Sequence, residues 1–185
     1  TPSEDLFQID ELEMLAARFP QGHVVVLDGE RVAGFGAGIF IDFDWKHPQH
    51  NLDEFVGHNC GNHSMDGAYY YGTDISVHPD YRRQGIGRRL YELRKDLVRR
   101  YNRKGIVAGG VLPGYAQYRD TMTALEYVNR VAAGELYDRT LSFQLANGFQ
   151  LRGVLKDYFA DVTTGGWASL IYWPNPDYHM GVQRH

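Results

Sequence analysis

From Tyr71 to Arg103 the chain changes from a two-residue period to a helical one. Thr73, Ile75 and Val77 alternate with Asp74 and Ser76, the pattern of a half-buried strand from Gly72 to His78, and Pro79 ends it. A turn at Pro79-Asp80-Tyr81 leads into Arg82-Arg83-Gln84-Gly85-Ile86-Gly87. Leu90, Leu93, Leu97, Val98 and Tyr101 then recur at three- and four-residue spacing, which makes one apolar stripe on a helix. The predicted order is strand, glycine-containing loop, helix.

The same patterns place the other elements. Glu11 to Arg18 reads as a helix with Asp10 as N-cap, Leu12, Leu15, Ala16 and Phe19 on one face, and Pro20-Gln21-Gly22 as its end. His23 to Leu27 and Arg31 to Ile41 form a hairpin around Asp28-Gly29-Glu30. Gly34, Gly36 and Gly38 strip side chains from one face of its second strand, so something is expected to pack closely there. Asp42 to Gly67 is long, polar and without clear period. Gly105 to Leu112 suits a buried parallel strand closed by Pro113-Gly114. Thr121 to Ala133 reads as a helix with Met122, Leu125, Val128 and Val131 on one side. Asp138 caps a second helix from Arg139 to Ala146, and Phe149 to Phe159 and Trp167 to Trp173 read as the last strands.

A strand, a glycine loop and a helix leave the first amides of the helix unpaired and facing the loop, with the positive end of the helix dipole behind them. This is an anion site. Gly85 and Gly87 let the backbone approach phosphate oxygens, and Arg82, Arg83, Arg88 and Arg89 add charge. The loop has neither the Lys-Ser/Thr of a nucleotide-triphosphate loop nor the glycine spacing of a dinucleotide fold, so neither ATP nor NAD is expected.

Arg82-x-x-Gly85-x-Gly87, preceded by Val77-His78-Pro79, resembles motif A of the GNAT superfamily of N-acetyltransferases. The resemblance covers about residues 23–173 of a chain that reads as one domain over residues 1–185. It implies an α/β fold: a mixed, mostly antiparallel twisted sheet splayed around an acetyl-CoA site and flanked by helices. Such a fold opens with one further strand and helix, and too few residues precede His23 to supply both, so the first strand is expected to be missing. The stretches YGTDISVHP, AGGVLPGY and ELYDRTLSFQLANGFQLRGVL look more specifically like the acetyltransferase domain that precedes a carbon–nitrogen hydrolase domain in bifunctional proteins. That implies a fused or associated hydrolase as partner.

Composition narrows the alternatives. Ten Lys or Arg fall between Tyr81 and Lys104 against Glu92 and Asp96, in a chain whose net charge is -4. Most of them read as a solvated helix face, and only Arg82, Arg83 and Arg88 lie where they could reach a loop-bound phosphate. An acidic protein whose arginines are already explained by phosphate gives no reason to expect a nucleic-acid partner. One cysteine, Cys60, allows no internal disulfide, and no apolar run is long enough for a membrane, so a cytoplasmic protein is expected. His47, His50, His58, Cys60 and His63 crowd the polar insertion, but their spacing matches no closed zinc site and no metal is expected. The insertion reads instead as a substrate-side lid whose Asp42, Asp44, Asp53, Glu54 and Asp66 would favour a cationic amine.

In the family's chemistry an amine attacks the thioester directly, so acetyl-CoA must be bound, an ammonium deprotonated and an oxyanion stabilised. The resemblance places pantetheine along Ile75, Ser76 and Val77, with the Val77 amide near the thioester oxygen. It places the pyrophosphate on the amides of Arg83, Gln84, Gly85, Ile86, Gly87 and Arg88. Asp74 occupies a position where relatives often carry an acidic residue and is the candidate base, although a carboxylate of ordinary pKa, about 3.9, needs burial or a water relay for that work. The Tyr that many relatives use as acid is replaced by Gln144. Tyr137, seven residues earlier, is the candidate substitute on a continued helix. The expected activity is acetyl transfer to a primary amine of a small molecule or peptide; the alternative is a non-catalytic acyl-CoA-binding module that regulates a hydrolase.

Overall fold

The computed structural model describes residues 17–181. Of the helix expected from Glu11, all but Ala17 and Arg18 lies outside the described residues. The next elements are β1 (Val24–Asp28), β2 (Arg31–Ile41), α1 (Leu52–Val56), β3 (Tyr69–Val77), α2 (Ile86–Arg100) and β4 (Gly105–Gly110). They are followed by α3 (Ala124–Ala132), α4 (Leu141–Ala146), β5 (Gln150–Leu155) and β6 (Ala168–Pro174). One sheet runs β1-β2-β3-β4-β6-β5, and every neighbouring pair is antiparallel except β3 with β4. The fold is thus the expected mixed, mostly antiparallel sheet flanked by helices, with β1 at its edge among the described residues.

Consecutive residues on the central strands divide the core between two faces. Phe40, Tyr70, Ile106 and Ile171 pack with Leu97 and Val98 of α2 and with Tyr127 and Val128 of α3. Their neighbours Ile39, Tyr71, Val107 and Leu170 pack on the opposite face with Phe43, Val56, Cys60 and Tyr158. The segment read as an irregular polar insertion is therefore a built part of the second core, and it contains α1, capped by Asn51 accepting from the Glu54 amide. Gln49 and Asn51 hydrogen-bond the backbone at Lys156 and Asp157, which fastens the insertion beside the end of β5. Two of its carboxylates are already engaged: Asp42 accepts from the Ala68 amide, and Asp44 meets both the Lys46 amide and the His47 ring.

The glycines of β2 receive α2. A Cβ on Gly34 would lie 2.7 Å from Ile86 Cγ2 and 3.2 Å from Leu90 Cδ1, and one on Gly36 would lie 3.2 Å from Arg94 Nε. Ile86, Leu90 and Arg94 stand one turn apart, so bare backbone on β2 lets one ridge of the helix settle directly on the sheet. Helix α3 begins later than its period suggested, at a Thr123–Glu126 capping box, and it buries Ala124, Tyr127, Val128 and Val131 while Leu125 stays exposed. Asp138 is buried and does more than cap α4. Its Oδ1 accepts from the Thr140 and Leu141 amides, and its Oδ2 accepts from the Gly114 amide and the Tyr127 hydroxyl, so it ties three segments together.

Candidate active site

β3 and β4 stay paired for only three residues, Tyr70–Gly72 against Ile106–Ala108. Beyond them β3 continues along β2, with Val77 opposite Gly34, while β4 follows β6, with Gly110 opposite Ser169. The strands part, and their facing edges, Thr73 to Val77 and Gly109 to Gly110, make no ladder with each other. The resulting cleft is about 350 Å³, has Ile75, Ser76, Val77 and Gly110 along its sides, and is closed on one face by Tyr91 and Gln144.

At the Val77 end the cleft meets the start of α2. Gly85 is the N-cap at φ +81°, no side chain caps the helix, and the first intrahelical bond of this turn runs from the Arg89 amide to the Gly85 carbonyl. The amides of Ile86, Gly87 and Arg88 therefore have no partner among the described residues. Gly87 faces the cleft, where a Cβ would touch the Phe143 ring at 3.4 Å and Val77 Cγ2 at 3.9 Å. Arg82, Arg83, Gln84 and Arg88 are exposed, and their side chains make no hydrogen bond or ion pair among the described residues; the Arg82 amide donates to the Pro79 carbonyl. Open amides, a helix dipole and unengaged guanidinium groups meet at one place, which suits a phosphate or diphosphate.

Asp74 is placed by a feature that the sequence pattern hid. The β2–β3 register slips between Ala37 and Gly38, so that Ala37 faces Asp74 while Gly38 faces Gly72, and Thr73 is an extra residue on β3. Through this bulge, Asp74 comes to the face that carries Ile39 and Tyr71, although an odd spacing from Tyr71 would ordinarily put it on the other one. The strict alternation of Thr73, Ile75 and Val77 is broken at the same point. Arg94 holds the bulge: it is 3 % exposed, and its Nη2 donates to the carbonyls of both Ala37 and Asp74. It belongs to the basic run that reads as a solvated face, yet it sits within the apolar stripe, four residues after Leu90 and three before Leu97. That position was the available signal.

Tyr137 is the clearest correction. Helix α4 starts at Leu141, so Tyr137 lies in the connection before it, and the seven-residue spacing from Gln144 has no helical meaning. Its side chain is 77 % exposed and does not line the cleft. Gln144 does line it, is itself buried, and holds an Oε1 without a hydrogen-bond partner among the described residues, beside Gly110. Among the described residues no group of three His, Cys, Asp or Glu converges as a metal site, and no helix is long and apolar enough to cross a membrane.

Comparison with known proteins agrees with this geometry. Over 162 residues the chain is 41% identical to the probable hydrolase YhcX of Bacillus subtilis, a match that takes in 86% of this chain and 32% of that protein. The chain thus spans about a third of that relative's length. Over 178 residues it is 30% identical to the uncharacterized N-acetyltransferase YkwB of the same organism, covering 96% of this chain and 79% of YkwB. The GNAT-like decarboxylase GphF, solved with isobutyryl-CoA, superposes with a TM-score of 0.80 at 20% identity over 95% of this chain and 89% of that one, a likeness of fold. Residues 2–113 match the model of the acetyltransferase (GNAT) family, and the chain belongs to that family.

Proposed function

We propose that the chain is an acyltransferase module that takes acetyl-CoA as acyl donor and passes the acetyl group to a primary amine of a small molecule or peptide. The observation that carries this reading is the parting of β3 and β4 beside the uncapped start of α2. An extended pantetheine can hydrogen-bond the free strand edge at Ile75, Ser76 and Val77, as a short added strand would. The diphosphate would rest on the amides from Arg83 to Arg88, with Arg82, Arg83 and Arg88 around it and Gln84, Gly85, Ile86 and Gly87 supplying backbone. Val77 stands at the mouth beside Gly87, so the thioester is assigned further in, between Ile75 and Gly110. Acetyl-CoA supplies an activated carbonyl whose thiolate leaves readily; the protein supplies position and an exit for the amine's proton. Asp74, on the face away from α2, is the carboxylate assigned to the incoming ammonium.

A second reading rests on Gln144, which cannot donate a proton as an acid where many relatives use Tyr, and on the partial match to a probable hydrolase. In it the domain binds an acyl-CoA without turnover and regulates a hydrolase. The test is calorimetry with acetyl-CoA followed by amine-dependent thiol release. Binding is expected to be lost in Gly85→Glu, which sets a carboxylate where the diphosphate lies, and Asp74→Asn is expected to lower kcat about 100-fold at unchanged KM for acetyl-CoA. Absence of binding by the unaltered chain overturns both readings; binding without thiol release, with every amine tried, favours the regulatory one.

A further inference from the structure

The insertion delivers one of its histidines to a pair of buried tyrosines behind the cleft wall at Gly109. His50 Nε2 lies 2.6 Å from the Tyr71 hydroxyl, and that hydroxyl lies 2.8 Å from the hydroxyl of Tyr158. Both phenols are buried, Tyr71 completely. The three groups come from three segments: the insertion, the start of β3, and the connection after β5. Tyr158 is set against Gly109, whose missing side chain makes room for it, since a Cβ there would come within 2.3 Å of Tyr158 Cζ. Gly109 is the first residue of β4 past the last pair with β3, and it lines the cleft. Tyr158 thus packs directly behind Gly109, where the sheet opens, on the face that carries Asp74, and is separated from the cleft only by that side-chain-free residue.

The outer end of this chain of groups fixes its direction. His50 Nδ1 is 2.7 Å from the Pro48 carbonyl oxygen. A carbonyl can only accept, so Nδ1 carries the proton and Nε2 of the neutral ring presents a lone pair to Tyr71. Tyr71 then donates to His50 and accepts from Tyr158, whose oxygen keeps its acceptor side for the Gly109 backbone and for a donor arriving beside Gly109. Burial favours the neutral ring and depresses the His50 pKa below its usual value, partly opposed by the bond to Pro48. Around His50 stand the rings of Phe43, Phe55, Tyr71 and Tyr158. The charges of Asp74 and Asp53 act on Tyr158, and burial is the main cause that raises both phenols.

We infer that Tyr158, Tyr71 and His50 form a one-way proton relay that deprotonates the acceptor amine. The inference rests on the acetyltransferase reading above. The ammonium, oriented by the Asp74 carboxylate, gives one proton to the Tyr158 oxygen, the Tyr158 proton passes to Tyr71, and the Tyr71 proton passes to His50 Nε2, leaving an imidazolium still bonded to Pro48. The freed amine nitrogen bonds the acetyl carbon, the carbon–sulfur bond breaks, and the second nitrogen proton goes to the departing thiolate. His50 finally gives its proton to solvent. The products are amide, free thiol and one proton. Tyr158 is the catalytic residue, since it meets the amine; Tyr71 and His50 act through it and are positioning residues. The insertion is then part of the acid–base apparatus as well as a cover for the sheet.

Two measurements test the relay on the intact chain. In long-range proton–nitrogen NMR spectra of the unliganded protein, His50 is expected as the Nδ1–H tautomer above pH 7, and Tyr71→Phe is expected to shift its Nε2 resonance. An Nε2–H tautomer would point the chain the wrong way and overturn the inference without any substrate. Thiol release from acetyl-CoA with spermidine, lysine methyl ester and a lysine peptide is then followed from pH 5.5 to 9. The unaltered protein is expected to lose rate as His50 is protonated, with the inflection below pH 6.5. Tyr158→Phe and Tyr71→Phe, which remove only hydroxyls, are expected to lower kcat at pH 7 by about 100-fold, erase that inflection and leave acetyl-CoA affinity unchanged. A pH profile and kcat unchanged in both variants overturn the relay and leave the acetyltransferase reading standing. Acetyl-CoA binding with no thiol release from any of the three amines overturns it in favour of the regulatory reading. Failure to bind acetyl-CoA removes the function on which the relay rests.

Discussion

Arg94 shows what one side chain contributes to this site. A bulge leaves backbone carbonyls without ladder partners, and a buried carbonyl left unpaired costs about 1–3 kcal/mol. The Arg94 guanidinium answers two of them, at Ala37 and Asp74, from a helix on the other side of the sheet. Arg94→Met keeps much of the packing and removes both donors, so it is expected to lower unfolding stability by about 2–4 kcal/mol. Urea denaturation measures this, and a loss below about 1 kcal/mol would show that the bulge does not depend on the arginine. Arg94→Lys is expected to recover only part, because the lysine side chain is one bond shorter and its ammonium falls short of the place that Nη2 occupies.

At the scale of elements, close approach is the recurring device. Adding a methyl at Gly34 pushes on Ile86, a stiff β-branched side chain in the first turn of α2. Gly34→Ala is therefore expected to lower stability by about 1–3 kcal/mol and, by displacing the open end of α2, to weaken acetyl-CoA binding as well. Denaturation and calorimetry on the same variant check both parts, and an unaltered affinity would separate the packing of the helix from the anion site. This device was readable in the sequence, because alternate glycines on a strand announce a close neighbour. So were the β1–β2 hairpin at Asp28-Gly29 and the strand-loop-helix order around Gly85, each written in local turn chemistry or a single period. The bulge at Thr73 was not readable: one extra residue leaves composition untouched and alters only the pairing across to β2. The place of Tyr137 failed for a related reason, since Asp138 holds a turn at Arg139-Thr140 and the helix begins only at Leu141. The partners of His50 are contributed from Tyr71 and Tyr158, and nothing local in the insertion points to either.

The molecule as a whole should register pH through its histidines. Burial lowers the pKa of both His50 and His63, and His63 Nδ1 accepts a hydrogen bond from the Phe40 amide, a role open only to the unprotonated nitrogen. The unfolded chain binds these protons more readily than the folded one. Their contribution is therefore fully present above about pH 6.5 and is lost as pH falls through that value toward the lower folded pKa values. Melting temperature is expected to decline between pH 7.5 and pH 5, and His63→Asn to flatten that decline; an equally steep slope in the variant would exclude His63 as a cause. The three-residue junction of β3 and β4 has a mechanical consequence at the same scale. It makes the sheet two panels, β1-β2-β3 and β4-β6-β5, sewn together along a seam of three residue pairs. Whatever lies in the cleft as an extended chain lengthens that seam, so the ligand is also a stitch, and the amides of Ile75 to Val77 should exchange with deuterium more slowly when it is in place.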